Sequence, residues 1–241
     1  MEKLTVYDIC LKITGDFEGR GFGTVTDNFD GQGLSCGIIQ FNLGQGTLQN
    51  YILNHINEMM YDFPLPITPL IGATPNQAMT WHKDNCLDLN GKLKKEWRDA
   101  WEAFMIKPAI INLQKRACDK YFHQAKCIVG KLGFTHENVR AMAFAFDIAV
   151  QSWALIIDPP KANKQQAESI KELSTTENYI WWVDKELSEE QQILLITAHL
   201  RSLKCKPEYK LAFFTRKATI AIGCGIVNNT KYDFNKLFTE S

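Results

Sequence analysis

Neither sign of charge is in excess in this 241-residue sequence, because lysine plus arginine and aspartate plus glutamate both total 27. A balanced chain has no overall field to hold it on nucleic acid or on an anionic membrane, so we expect no nucleic-acid partner. Apolar runs of about 18 residues are also missing, which argues against a membrane span. With 45% hydrophobic residues, the chain can bury a substantial core. The composition predicts a globular protein whose charged contacts are local.

Metal-ligand spacings are missing as well. The seven cysteines are odd in number, scattered and without a CxxC pair, and the five histidines show no HxxxH or HxH spacing. His82 and Cys86 lie four residues apart, but we expect no metal and no cofactor there. Cys36 has no neighbouring histidine to activate it and is interpreted as a small buried residue. Most of the cysteines are therefore predicted to be free core thiols.

Apolar residues recur at three-to-four-residue spacing over most of the chain, which predicts a mainly α-helical protein. The first helix carries Leu4 and Tyr7 on one face and is predicted to end at Gly15, so that Glu18 follows it. Residues 139–150 are apolar around most of the helix circumference, which is typical of a helix in the middle of a bundle. Two further helices are predicted to begin at Thr47 and just after Pro108. Three more are predicted over residues 93–104, 189–203 and 215–227. The polar stretch 158–178 is predicted to be exposed, as a connection or a solvated helix.

One segment, residues 19–46, is rich in Gly, Asn, Asp and Thr and shows no helical periodicity. It contains two short β-prone pieces, Phe22–Thr26 and Leu34–Phe41, and this composition is typical of a small hairpin sheet. It is the only β region that the sequence predicts. The predicted fold class is therefore mainly α (α+β), a helical bundle with a small β-hairpin sheet.

Of two notable carboxylates, Glu18 immediately precedes this segment and Asp30 lies within it. Cleavage of a glycosidic bond needs one carboxyl group to protonate the leaving oxygen, and a second group to activate water or stabilise the transition state. A helix end and a hairpin on opposite walls of a cleft could supply the two groups. The structural alternatives are that Glu18 is a solvated surface residue and that Asp30, in an Asp-Gly pair, forms an Asx turn.

The segment Phe29-Asp-Gly-Gln-Gly-Leu-Ser-Cys-Gly-Ile-Ile-Gln-Phe41 resembles the Gly-Asp-Gly-Arg-Gly-Tyr-Thr-x-Gly-Ile-Ile-Gly-Phe signature of family 46 chitosanases. Their catalytic acid also lies shortly upstream, at the end of a helix. The piece Gly37-Ile-Ile-Gln40 is similar to the Gly-Leu-Met-Gln hairpin of lytic transglycosylases and goose-type lysozymes, which belong to the same lysozyme-like superfamily. A weaker similarity joins Phe146-Asp-Ile-Ala-Val-Gln-Ser152 to the Asp-Ala-Val-Val-x-His-Gly piece of the chitosanases.

The resemblance implies a single lysozyme-like catalytic domain over residues 1–241. Its acid-bearing helix and β-hairpin would form one lobe, at about 1–60, and the other helices a second lobe, at about 61–241, with the substrate cleft beside the sheet. The resemblance implies Glu18 as general acid, Asp30 as the base that activates water, and Ser35 as the residue that helps to hold that water. Such an arrangement would invert the anomeric configuration.

The substrate is expected to be peptidoglycan rather than chitosan, because chitosan is a polycation and its groove should be rich in carboxylates. Amide side chains suit N-acetyl and hydroxyl groups, and tryptophan can stack on a sugar face. The candidate substrate-binding residues are Gln40, Asn42, Gln45, Gln151 and Trp181. Asp147, on an otherwise apolar helix, is expected to have a structural partner such as Arg216 if it is buried.

The sequence therefore predicts a muramidase-like glycoside hydrolase that cleaves β-1,4 bonds of peptidoglycan. No secretory signal is visible at the N-terminus, so we expect an endolysin released by phage lysis, or a bacteriolytic effector toxin delivered by a secretion apparatus, acting on the cell wall in the periplasm or outside the cell. A toxin would have an immunity protein as partner. Two alternatives remain open, a chitosan or chitin hydrolase and a non-catalytic glycan-binding module.

Overall fold

The computed structural model describes residues 4–19, 21–27, 31–56, 62–152, 157–176 and 186–239. In this part of the chain most residues are helical and a minority form small antiparallel sheets, which confirms the prediction of a mainly α protein. None of the described helices is both long and apolar enough to cross a bilayer.

The helices and strands are numbered in the order in which they follow one another along the chain. They are α1 (Val6–Glu18), β1 (Val25–Thr26), β2 (Ser35–Cys36), β3 (Phe41–Asn42), α2 (Thr47–Tyr51), α3 (Pro75–Cys86), α4 (Lys95–Met105), α5 (Pro108–Lys131), α6 (Val139–Ser152), α7 (Lys164–Thr176), α8 (Glu189–Ser202), α9 (Pro207–Ile222), β4 (Cys224–Val227), β5 (Thr230–Asp233) and α10 (Asn235–Thr239).

The chain divides into two compact units that differ from the expected lobes at 1–60 and 61–241. The first unit combines Met1–Phe17 with Lys120–Ser241, and the second is Glu18–Asp119. The first helix joins the C-terminal half because its apolar face packs there: the ring centroid of Tyr7 lies 4.7 Å from that of Phe122. The polypeptide thus contributes its N-terminal helix and its C-terminal half to one core.

Helix α6 is the centre of the first unit. Every residue from 141 to 149 is buried, which confirms the prediction of a central helix from its apolar circumference. Tyr7 meets Phe146 edge to face at 6.4 Å. Helices α8 and α9 pack against each other, and both contact α6.

The second unit has its own core, beneath a three-stranded antiparallel sheet in the order β1-β2-β3. Val25 pairs with Cys36, and Cys36 pairs in turn with Phe41. Trp101 of α4 is fully buried, and its ring centroid lies 4.7 Å from that of Phe63. The aromatic side chains of α4 therefore pack inside the unit, which makes Trp101 a core residue.

The predicted end of the first helix is wrong. Helix α1 continues through Gly15, which is buried, and ends at Glu18. A single glycine costs a helix only about 1 kcal/mol, so tertiary packing can hold it in helical conformation. The chain leaves the helix at Gly19, whose φ of 113° is easily reached only by glycine.

The prediction of a helix from 215 to 227 is also wrong in its second half, as is the prediction of a single β region. Helix α9 ends at Ile222, and Gly223 with φ 99° forms its left-handed C-cap. Strands β4 and β5 then pair as a hairpin. Its two turn residues, Asn228 and Asn229, have φ of 49° and 64°, and asparagine tolerates this conformation better than most residues.

His82 is a buried histidine in the second unit. Its exposed fraction is 2%, and neither Nδ1 nor Nε2 has a hydrogen-bond partner. Burial lowers the pKa of His82 from 6.5 to about 4, against a smaller opposing effect of the Asp27 carboxylate. The folded protein therefore favours the neutral imidazole.

We expect His82→Leu to lose less unfolding free energy between pH 6.5 and 4 than wild type does. The contribution of the neutral imidazole is complete above the unfolded pKa of 6.5 and disappears as the pH falls through the folded pKa of about 4. A shift of this size corresponds to about 3 kcal/mol. Urea denaturation of both proteins, at a series of pH values from neutral to about 4, measures how the unfolding free energy of each changes with pH.

The variant His136→Leu, at an exposed position, is the matched control for loss of a histidine. Parallel stability profiles for wild type and His82→Leu would contradict the role given to His82.

Candidate functional site

Glu18 is the last residue of α1 and the first residue of the second unit. Its side chain is half-buried. Gly19 and Gly21 both have positive φ, 113° and 63°, so the chain turns away directly after the carboxylate. The turn Gly21–Gly23 then leads into β1. Glu18 thus lies at the end of a helix, and the first strand of the sheet begins at Val25.

Ser35 and Gln40 lie on the sheet and at the turn between β2 and β3. Ser35 is buried and pairs with Thr26 on one side. The Thr26 hydroxyl donates to Oε1 of Gln40 at 2.7 Å, and Nε2 of Gln40 lies 3.5 Å from the Gly37 carbonyl. Gln40 has φ 56°, a conformation that costs a residue with a Cβ of order 1 kcal/mol. The amide of Gln40 therefore helps to hold the turn.

Asn42 and Gln45 differ in burial: the Asn42 side chain is buried and the Gln45 side chain is exposed. The Asn42 side chain is buried, and its Oδ1 accepts a hydrogen bond from the Gln45 N–H at 2.8 Å. The Asn42 N–H donates to the Thr47 hydroxyl at 2.8 Å. Asn42 thus closes the turn that leads into α2, while the Gln45 side chain is exposed. Of the two, Gln45 is the one whose amide is open to a ligand in solution.

Gln114 is a fully buried residue of α5 that no pattern in the sequence indicates. Its Oε1 accepts from the Ile38 N–H at 3.0 Å, and its Nε2 donates to the carbonyls of Met105 at 2.8 Å and Phe22 at 3.3 Å. A Cβ on Gly37, whose φ is 81°, would lie 2.4 Å from Oε1 of Gln114. One side chain therefore joins α5 to the β2–β3 turn and to the segment after Glu18.

Asp147 forms the main ionic cluster of the first unit. It is fully buried, as is Lys217, and Arg216 is nearly so. Arg216 donates through Nη2 to Oδ1 at 2.7 Å, and Lys217 donates to Oδ2. Burial would raise the pKa of Asp147, but the charges of Arg216 and Lys217 outweigh it and hold the pKa at about 2. The predicted pairing of Asp147 with Arg216 is confirmed, and Lys217 is an additional partner.

Gln151, one helical turn after Asp147, belongs to the first unit. Gln151 is exposed, and its Oε1 accepts a hydrogen bond from the Lys217 ammonium group at 2.5 Å. The other described candidates, Glu18, Ser35, Gln40, Asn42 and Gln45, belong to the second unit. Asp30 and Trp181 lie outside the described residues.

Five of the seven cysteines are core residues: Cys10, Cys36, Cys86, Cys118 and Cys224 are buried. None of the seven forms a disulfide. Burial raises the pKa of Cys86 to about 12, and it raises the pKa of Cys36 well above 9 despite the opposing charge of Arg98. Within the described ranges, no group of three or more His, Cys, Asp and Glu side chains could hold a metal ion.

Comparison with known proteins finds no relative: no family model matches the chain, and no curated protein matches its sequence.

We expect Gln114→Met to lower the unfolding free energy by about 3 kcal/mol, because the Ile38 N–H and two carbonyls lose their buried partner. Amide exchange of Ile38 with deuterium should become at least about tenfold faster, since its N–H is no longer protected. Urea denaturation and hydrogen-exchange mass spectrometry measure the two effects. Gln165→Met, on the exposed start of α7, is the control, and unchanged Ile38 exchange in Gln114→Met would refute the assignment.

Asp147→Asn should lower the unfolding free energy by about 3 to 5 kcal/mol, because it leaves two buried cations without their carboxylate. The double variant Asp147→Asn/Lys217→Met should recover part of this loss, since it removes one uncompensated charge. Urea denaturation at neutral pH tests both, with Asp158→Asn at an exposed position as control. A loss below about 1 kcal/mol in Asp147→Asn would be incompatible with a structural ion cluster.

Proposed function

We propose that this protein is a lysozyme-like glycoside hydrolase that cleaves β-1,4 bonds of peptidoglycan, with Glu18 as the proton donor. The observation that carries the proposal is the position of Glu18: a half-buried carboxylate at the end of α1, followed along the chain by a short turn and a small antiparallel sheet. The hairpin of that sheet also carries the motif that resembles the chitosanases and lytic transglycosylases. Local structure and sequence similarity therefore support the same carboxylate.

The proposed chemistry uses Glu18 as general acid. Its proton passes to the glycosidic oxygen while the bond from that oxygen to the anomeric carbon breaks. Water adds to the anomeric carbon, and its proton passes to a base, the role that the resemblance gives to Asp30. Ser35, a buried residue of β2, is the proposed hydrogen-bond partner of that water. Glu18 is suited to the role because a half-buried side chain at a helix end has a restricted set of orientations.

The hairpin carries no charged side chain, so it is suited to bind an uncharged part of the substrate. Residues 31–46 contain no Asp, Glu, Lys or Arg. The nearest described carboxylate before them, Asp27, is paired with Arg98. A surface for a polycation such as chitosan needs unpaired carboxylates, whereas the N-acetyl and hydroxyl groups of peptidoglycan suit amides such as Gln40 and Gln45. This composition favours peptidoglycan over chitosan.

The place of action and the partner follow from the proposed activity. Peptidoglycan lies in the periplasm or outside the cell, so the enzyme would reach it through phage lysis or a secretion apparatus. A toxin of this kind would have an immunity protein that blocks Glu18 in the producing cell.

We expect wild-type protein to release reducing-end muropeptides from purified sacculi. The rate of release should be at least about 100-fold lower in Glu18→Gln, because a carboxamide cannot donate the proton. Mass spectrometry of the soluble products identifies the bond that is cut. Anhydro ends in the products would indicate a lytic transglycosylase instead of a hydrolase.

Asp16→Asn is the matched control, since Asp16 is a carboxylate on the same helix that pairs with Lys12 at 3.0 Å. This variant should keep wild-type activity. Full activity in Glu18→Gln would overturn the proposed acid, and product from chitosan oligosaccharides but not from sacculi would overturn the proposed substrate.

A further inference from the structure

The connection from α8 to α9 carries an unusual group of exposed apolar side chains. We call residues 203–211 the elbow. Leu203, Tyr209 and Leu211 are exposed by 50%, 61% and 39%. Only six large hydrophobic side chains are exposed in the described part of the chain, so the elbow holds half of them within nine residues. Exposed apolar side chains that cluster in this way are typical of an interaction surface.

The first turns of α9 project from the first unit. Residues 207–212 are all exposed, although a helix on a protein surface normally buries one face. From Phe213 onward, the residues of α9 are buried. Among the described residues, the first six residues of α9 therefore lie outside the core.

Basic side chains alternate with the apolar ones in the elbow. Lys204, Lys206 and Lys210 are exposed, and Glu208 is the one carboxylate among them. In the described structure, the three ammonium groups form neither ion pairs nor side-chain hydrogen bonds. Since the whole chain has no net charge, this is a local positive excess.

The backbone of the elbow is ordered by its own hydrogen bonds. The N–H of Leu203 donates to the His199 carbonyl at 3.2 Å, and the N–H of Cys205 donates to the Ser202 carbonyl at 3.0 Å. Pro207 occupies the first turn of α9, where its fixed φ suits a helix start. The surface therefore needs little ordering when it binds.

We propose that the elbow docks on an anionic lipid surface. Exposed apolar side chains of the elbow supply the contact with the boundary between headgroups and acyl chains, and the lysines supply the contact with lipid phosphates. Tyrosine is suited to this boundary because its ring is apolar and its hydroxyl is polar. The unpaired lysines favour a lipid surface over a second copy of this chain, because two copies would bring like charges together. This inference is independent of the proposed hydrolase activity.

The test is cosedimentation with vesicles of phosphatidylcholine mixed with phosphatidylglycerol, and with vesicles of phosphatidylcholine alone. We expect binding to the mixed vesicles only, weakened by added sodium chloride. The triple variant Lys204→Glu/Lys206→Glu/Lys210→Glu should reduce the partition coefficient by at least about tenfold. Leu203→Ser/Tyr209→Ser/Leu211→Ser should reduce it too, even at low salt.

The control Lys83→Glu/Lys92→Glu/Lys131→Glu makes the same charge change at exposed positions elsewhere and should bind as wild type does. Equal binding by both lysine variants, or no binding of wild type to mixed vesicles, would overturn the proposal. Light scattering that shows a dimer abolished by the Leu203, Tyr209 and Leu211 substitutions, without vesicle binding, would assign the elbow to self-association instead. Circular dichroism of each variant confirms folding, and sacculus cleavage serves as a separate readout of Glu18.

Discussion

A buried carboxylate that must remain charged is the constraint on which the first unit depends. Asp147 lies in the middle of α6, where every neighbouring residue is buried, so its charge is tolerated only with partners of opposite sign. Arg216 and Lys217 on α9 supply them, and Thr14 on α1 adds a hydroxyl 3.3 Å from Oδ1. The cluster therefore fixes the register of three helices that are far apart in sequence.

The second unit meets the same requirement with neutral groups. Gln114 of α5 accepts from the buried N–H of Ile38 in the turn between β2 and β3, and it donates to the carbonyls of Met105 and Phe22. Gly37 is needed beside it because a Cβ would occupy the position of the Gln114 oxygen. The result is an uncharged hairpin that follows, along the chain, the helix end that carries Glu18. The substrate contacts proposed for this hairpin are hydrogen bonds and not ion pairs.

The two proposed surfaces differ in their chemistry. The hairpin has no charged residue between positions 31 and 46, whereas the elbow combines three unpaired lysines with exposed leucine and tyrosine. Each surface can fail its own test without affecting the other, because they use different residues and different partners.

The sequence by itself predicted what depends on local periodicity and on the cost of buried charge: the mainly helical fold, the buried helix α6, the buried cysteines and the pairing of Asp147 with Arg216. It also indicated the small sheet after Glu18, because glycine and β-prone residues alternate there. Tertiary structure decided that Gly15 stays helical, because packing outweighs its weak propensity. It also decided the role of Gln114, whose partners Ile38 and Phe22 lie 76 and 92 positions away, beyond the reach of any local pattern.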